Sequence, residues 1–131
     1  MGASTAVKAA LYEAIAGMGF PTYTMPLQAA DGGADAAFPY VRIGAVVHSP
    51  FDTNTENGFD FTARIYTHWR GRDEQPGLLI QDAIYNRLHH GALDITGWQL
   101  ILLERQASST TPAEGSFTGL CEYRALITKE N

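Results

Sequence analysis

The chain has 131 residues, 45% of them hydrophobic and 18% charged, which suits one core and is too short for two independent ones. Its net charge of −5 and pI near 5.2 argue against a protein that wraps DNA or docks on anionic lipid, since both need clustered Lys and Arg. A protein past which DNA must slide stays open. Cys121 is the only cysteine, so no internal disulfide can form, and no apolar run approaches the ~18 residues of a membrane span.

The opening stretch, MGASTAVKAALYEAIAGMGF, reads as a helix. Ser4 suits its N-cap, and Val7, Ala10, Leu11, Ala14, Ile15 and Met18 recur on one helical face. Gly17 and Gly19 supply its stop. Lys8 and Glu13 interrupt the apolar residues at helical spacing, which is wrong for the apolar block of a signal peptide. Phe20 to Met25 reads as a short, Pro-bounded edge strand. Gln28 to Ala36, QAADGGADA, offers little to pack and is expected to be a mobile surface loop.

Two strands follow, Tyr40 to Ser49 and Gly58 to Trp69, joined by a loop from Pro50 to Asn57 rich in turn formers. Phe59, Phe61, Ala63, Ile65, Thr67 and Trp69 fall on one side of the second strand. Asp60, Thr62, Arg64, Tyr66 and His68 fall on the other. A second helix is expected from Asp73 to His90, capped by Asp73, with Pro76 in its first turn and Ile80, Ala83, Ile84 and Leu88 as its apolar stripe. Gly91 ends it. Trp98 to Leu103 is an almost continuous apolar run suited to an inner strand. Ala107 to Ser116 reads as a polar linker, and Phe117 to Ile127 as a last alternating strand.

The order α-β-β-β-α-β-β predicts a single α+β domain over residues 1–131, with about five mainly antiparallel strands and both helices on one face. Leu11, Ile15, Val41, Ile43, Phe61, Ile65, Ile80, Ile84, Leu100, Leu102 and Leu126 are its core candidates.

Residues that carry chemistry do not converge. His89 and His90 are adjacent, so on a helix they point ~100° apart, a poor arrangement for sharing an ion. His48 and His68 are placed on the polar sides of neighbouring strands, with no carboxylate at ligand spacing. Cys121 sits where an alternating strand needs a small buried hydrophobe, and no G-x-S-x-G elbow is present. Glu104 and Glu122 are close to Arg105 and Arg124, which favours cross-strand charge pairing over acid/base work. Gly32-Gly33 lacks the Gly-Lys-Ser/Thr of a phosphate cradle. Tyr66, Trp69 and Arg70 form one aromatic cluster without a basic stripe, weak grounds for nucleic-acid stacking. Catalytic residues, cofactor and metal are therefore all expected to be absent.

Taken together, AVKAALYEAIAG, FPYVRIG, GFDFTARIYTHWRG, GLLIQDAIYNRLHHGALDITGW and GLCEYRALI resemble, in this order and over nearly the whole chain, the tail terminator or tail completion proteins of long-tailed bacteriophages, prophages and gene transfer agents. The resemblance implies a ring, typically of six subunits, on the head-proximal end of the tail tube. Such a ring stops tube growth, meets the major tail tube protein below and the head completion or neck proteins above, and lets DNA through without specific binding. It implies a virion component assembled in the host cytoplasm, with no enzymatic turnover and no membrane partner. The interface residues expected on the loops are Gln28, Asp31, Gly32, Gly33, Asp35, Pro50, Asp52, Asn54, Glu56 and Asn57. The alternatives are a head–tail connector and, in a different class, a small α+β enzyme or ligand-binding domain. The last would need a pocket with convergent polar groups.

Overall fold

The period-two pattern of residues 58–70 becomes the spine of a five-stranded sheet. The computed structural model describes residues 2–24, 38–50 and 58–129. Its elements are α1 (Ala3–Ala16), β1 (Thr22–Tyr23), β2 (Tyr40–Pro50), β3 (Gly58–Arg70), α2 (Gln75–Leu88), β4 (Trp98–Ala113) and β5 (Ser116–Lys129). The strands lie in the order β1-β2-β3-β5-β4. β1 pairs with β2 in parallel, and every other pair is antiparallel. The fold is α+β, in the element order expected.

The core lies between the two helices and one face of the sheet. Val7, Leu11 and Ile15 of α1 and Ile84 and Leu88 of α2 are at most 2% exposed, and they meet Phe61, Ile65, Tyr123 and Ile127 from the central strands. Burying each such side chain is worth ~1.5–3 kcal/mol. Trp69, also buried, fixes the start of α2. Its indole Nε1 donates to the Asp73 carbonyl at 3.1 Å, and its ring stacks on Phe117 at 5.3 Å.

The helix ends differ from expectation. α1 begins at Ala3 after Gly2, and no side chain caps it. Ser4 already lies inside the helix, and its hydroxyl sits 3.4 Å from His48 Nδ1 instead. Asp73 does hold the entry to α2, because its carboxylate accepts from the Gln75 N–H at 3.0 Å. The helix stops at Leu88, earlier than expected. His90, at φ 57°, takes the left-handed turn assigned to Gly91, and Gly91 N–H closes back on the Leu88 carbonyl.

Three strand readings are also corrected. Pro50 ends β2 opposite Phe59 and is not in the loop. Ala107 to Ser116 is no linker: β4 runs on to Ala113 and turns at Glu114 and Gly115 directly into β5. Gly115, at φ 72°, supplies the left-handed residue of that turn. Polar composition misled there, because an edge strand has a solvent side that tolerates Ser and Thr.

For the same reason the apolar run Trp98 to Leu103 is not an inner strand. β4 is the sheet's edge, and Ile101 is 53% exposed. A bulge between Leu100 and Leu102 changes the parity. Leu103 becomes the buried residue, while Leu102 and its partner Leu126 face away from the core, only half-buried. Leu100 packs at the core's margin.

Candidate assembly surfaces

Both helices cover one face of the sheet. The other face is built by Asp60, Thr62, Arg64, Tyr66 and His68 of β3 with their cross-strand partners. Asp60 accepts from Arg124 through both carboxylate oxygens, Nη2 to Oδ2 at 2.8 Å and Nε to Oδ1 at 3.1 Å and to Oδ2 at 3.2 Å. Arg64 meets Glu122 at 3.5 Å, and Glu104 lies opposite Arg124 on β4. Oppositely charged residues facing one another across strands stabilise this register and disfavour a slipped one. The expected charge pairing thus occurs, but Glu122 takes Arg64 as its partner, and Arg105 points to the helix side over Tyr85.

Farther along the same face the Arg42 guanidinium lies 4.1 Å from the Tyr66 ring centre. His68 stacks on Tyr40 at 4.7 Å and shares a 3.3 Å contact with the Thr118 hydroxyl. Burial, and secondarily the nearby Arg42 charge, lower the His68 pKa, so its neutral form is favoured. The layer is ionic at one end and aromatic–cationic at the other.

The histidines separate. β2 carries a bulge between Ile43 and Val46, which turns Val46 and His48 towards the helices. His48 packs on Phe59 and Phe61 beside Ser4, on the sheet face opposite to His68. The expected placement of both on one polar side fails for that reason. His89 and His90 stack on each other at 4.0 Å at the end of α2, and His89 Nδ1 accepts from the Arg105 N–H at 3.1 Å. Among the described residues no group of three or more His, Cys, Asp or Glu is placed to hold a metal ion. Among them, too, no helix is long and apolar enough to cross a membrane.

Cys121 is 3% exposed, and burial pushes its thiol pKa up, against the opposing influence of Arg105. That suits a core residue and opposes a thiolate nucleophile. Trp69 is buried on the helix side while Tyr66 lies on the other face, so they cannot form one stacking platform.

This architecture has a counterpart among solved structures. It matches a chain in the virion of a native gene transfer agent particle with a TM-score of 0.81, covering 97% of this chain and 98% of that one at 17% sequence identity. The two chains share a fold from end to end. No family model matches the sequence, and no curated protein matches it.

Of the residues expected at interfaces, Gln28, Asp31, Gly32, Gly33, Asp35, Asp52, Asn54, Glu56 and Asn57 lie outside the described residues. Pro50 is exposed at the end of β2.

What sequence reasoning missed is the shape of the two sheet ends. At one end, α1 and β1 enclose a groove of about 690 Å³, lined by Lys8, Tyr12, Glu13, Tyr23 and Thr24. At the other, β4 and the segment after α2 enclose a groove of about 830 Å³, lined by Leu93, Asp94, Ile95, Trp98 and Ile101. The sequence signal for the first was Tyr12, a large side chain off the apolar stripe of α1, whereas the exposure of Ile101 follows only from the bulge.

Proposed function

We infer that the chain is a phage-type tail terminator, a structural virion protein without enzymatic turnover. Six copies would form a ring on the head-proximal end of the tail tube, stop its polymerisation and offer the neck proteins a new surface. The end-to-end fold match to a chain from a gene transfer agent virion carries the reading, and the sequence resemblance narrows it to the terminator.

The geometry supports this role in physical terms. A sheet pinned by cross-strand ion pairs is stiff enough to set a fixed angle between neighbours. An acidic chain repels the duplex that crosses the annulus, so DNA would pass without being held. Segments 28–36 and 50–57 are the proposed contacts to the tail tube and neck proteins, and the chain as a whole would act as one domain assembled in the host cytoplasm.

Electron microscopy of particles made with and without the gene tests the reading. With it, an extra ring should cap the head-proximal end of each tail. Without it, tails should grow overlong and stay headless. A ring at the distal tip, or tails of normal length without the protein, would refute the role, and density on the head side of the neck would identify a connector instead.

A further inference from the structure

We propose that the two ends of the sheet are complementary: the α1–β1 end of one copy packs into the β4 end of the next. This rests on the ring reading above and names the surfaces that would close the ring.

The first support is topology. Among the described residues, β1 and β4 are the two edges of one sheet. The pairings make β1 parallel to β2 and β5 and antiparallel to β3 and β4. Copies related by rotation and set side by side in the same sense therefore bring β1 of one beside β4 of the next, antiparallel, the commoner strand relation. A contact between two different patches on opposite ends of a subunit is heterologous and closes into a ring if the rotation allows.

The second is the unfinished state of β4. His90 N–H donates to the Leu103 carbonyl at 2.7 Å, and Arg105 N–H donates to His89. Beyond these, the outer side of Gln106 to Ala113 has no strand beside it among the described residues. An open edge of this length invites strand addition. Pro112 confines that addition to the part before it.

Chemistry at the two ends is the third. Each groove exposes a large apolar side chain, Tyr12 at 39% on α1 and Ile101 at 53% on β4. Lys8 and Glu13 flank the first, and Asp94 lies in the wall of the second, with Lys129 paired to Trp98 beside it. Lys8 against Asp94 and Glu13 against Lys129 unite opposite charges.

Cross-linking decides the matter. Thr24→Cys marks the α1–β1 end and Ile101→Cys marks β4, with Cys121 left in place because it is buried. The two single variants are mixed and treated with a short bis-maleimide, as purified protein at high concentration and in assembled particles. The mixture should give a two-chain product, the double variant a ladder, and neither single variant a product alone. Lys8→Glu or Asp94→Lys should each lower the yield about threefold, the effect of losing one exposed ion pair, and combining them should restore it. A product from Ile101→Cys alone, or a yield indifferent to both reversals, overturns the pairing. Failure of the terminator role has a different signature, in which the ladder persists while removing the gene leaves tail length unchanged. Normally capped tails without a ladder overturn the pairing and leave the role standing.

Discussion

Gly77, in the first turn of α2, lies flat against the indole of Trp69. A Cβ built on Gly77 would overlap Cδ2, Cε2 and Cε3 of that ring. The close approach lets α2 start directly over β3, and it explains a glycine inside a helix, where it otherwise costs ~1 kcal/mol relative to alanine. Gly77→Ala should therefore destabilise the protein despite the better helix propensity, by ~1–3 kcal/mol of overpacking. Urea denaturation measures it. A variant as stable as the parent would show that the indole is free to move away.

Ile84 faces the sheet from the middle of α2 and is 2% exposed. Ile84→Asp places an unpaired carboxylate there and should cost ~4 kcal/mol or more, enough to unfold a protein of ordinary stability. Circular dichroism at room temperature should show the loss of structure. A melt like the parent's would mean that α2 does not pack as described.

The contrast between β3 and β4 shows what was legible in the sequence. Alternation in β3 named its buried face correctly from Phe61 to Trp69, because a central strand without bulges keeps one parity throughout. β2 carries one bulge and β4 carries two, at Leu100/Leu102 and Arg105/Ala107, and each extra residue inverts the assignments after it until another restores them. Hence His48 lies on the helix side, and Leu103 is buried where Leu102 was expected. The assembly surfaces were less legible still. Tyr12 and Asp94 are 82 residues apart in sequence and are linked only through the sheet order, which local patterns do not encode.

Cys121 should resist modification. Its sulfur lies in the core, and burial favours the unreactive thiol over the thiolate. Under native conditions a thiol reagent should label it at least ~100-fold more slowly than in denaturant, since labelling then requires opening of the fold. Fast native labelling would contradict the packing around β5. It would also demand Cys121→Ala in the cross-linking background.

Stability should depend on His68. Burial first, and then Arg42, lower its pKa from the ordinary value near 6.5, so the folded state binds fewer protons there than the unfolded state. Its contribution is intact above the unfolded value and declines as pH falls through that value towards the lower folded one. Urea midpoints between about pH 5.5 and 8 should rise with pH. The rise should be smaller in His68→Phe, which keeps a ring between Tyr40 and Tyr66 but cannot titrate. An equal rise in both proteins would assign the effect to other groups.

The bulge in β2 makes a prediction about length. From Ile43 to Val46 the strand advances three residues while its partners, Ile65 to Ala63, advance two. Ala45 is exposed, and no residue of β3 pairs with it. Deleting Ala45 therefore removes the surplus residue and leaves Val46 opposite Ala63 and His48 opposite Phe61. A deletion within a strand without a bulge would instead send the later side chains to the wrong face. The Ala45-deleted protein should fold and melt within ~4 °C of the parent, the shift that ~1 kcal/mol produces at this size. Nuclear Overhauser contacts between the His48 and Phe61 rings should persist. If they vanish and Val47 contacts Phe61 instead, the strand has slipped by one residue, and the bulge has been setting the register of β2 where the ladder was expected to.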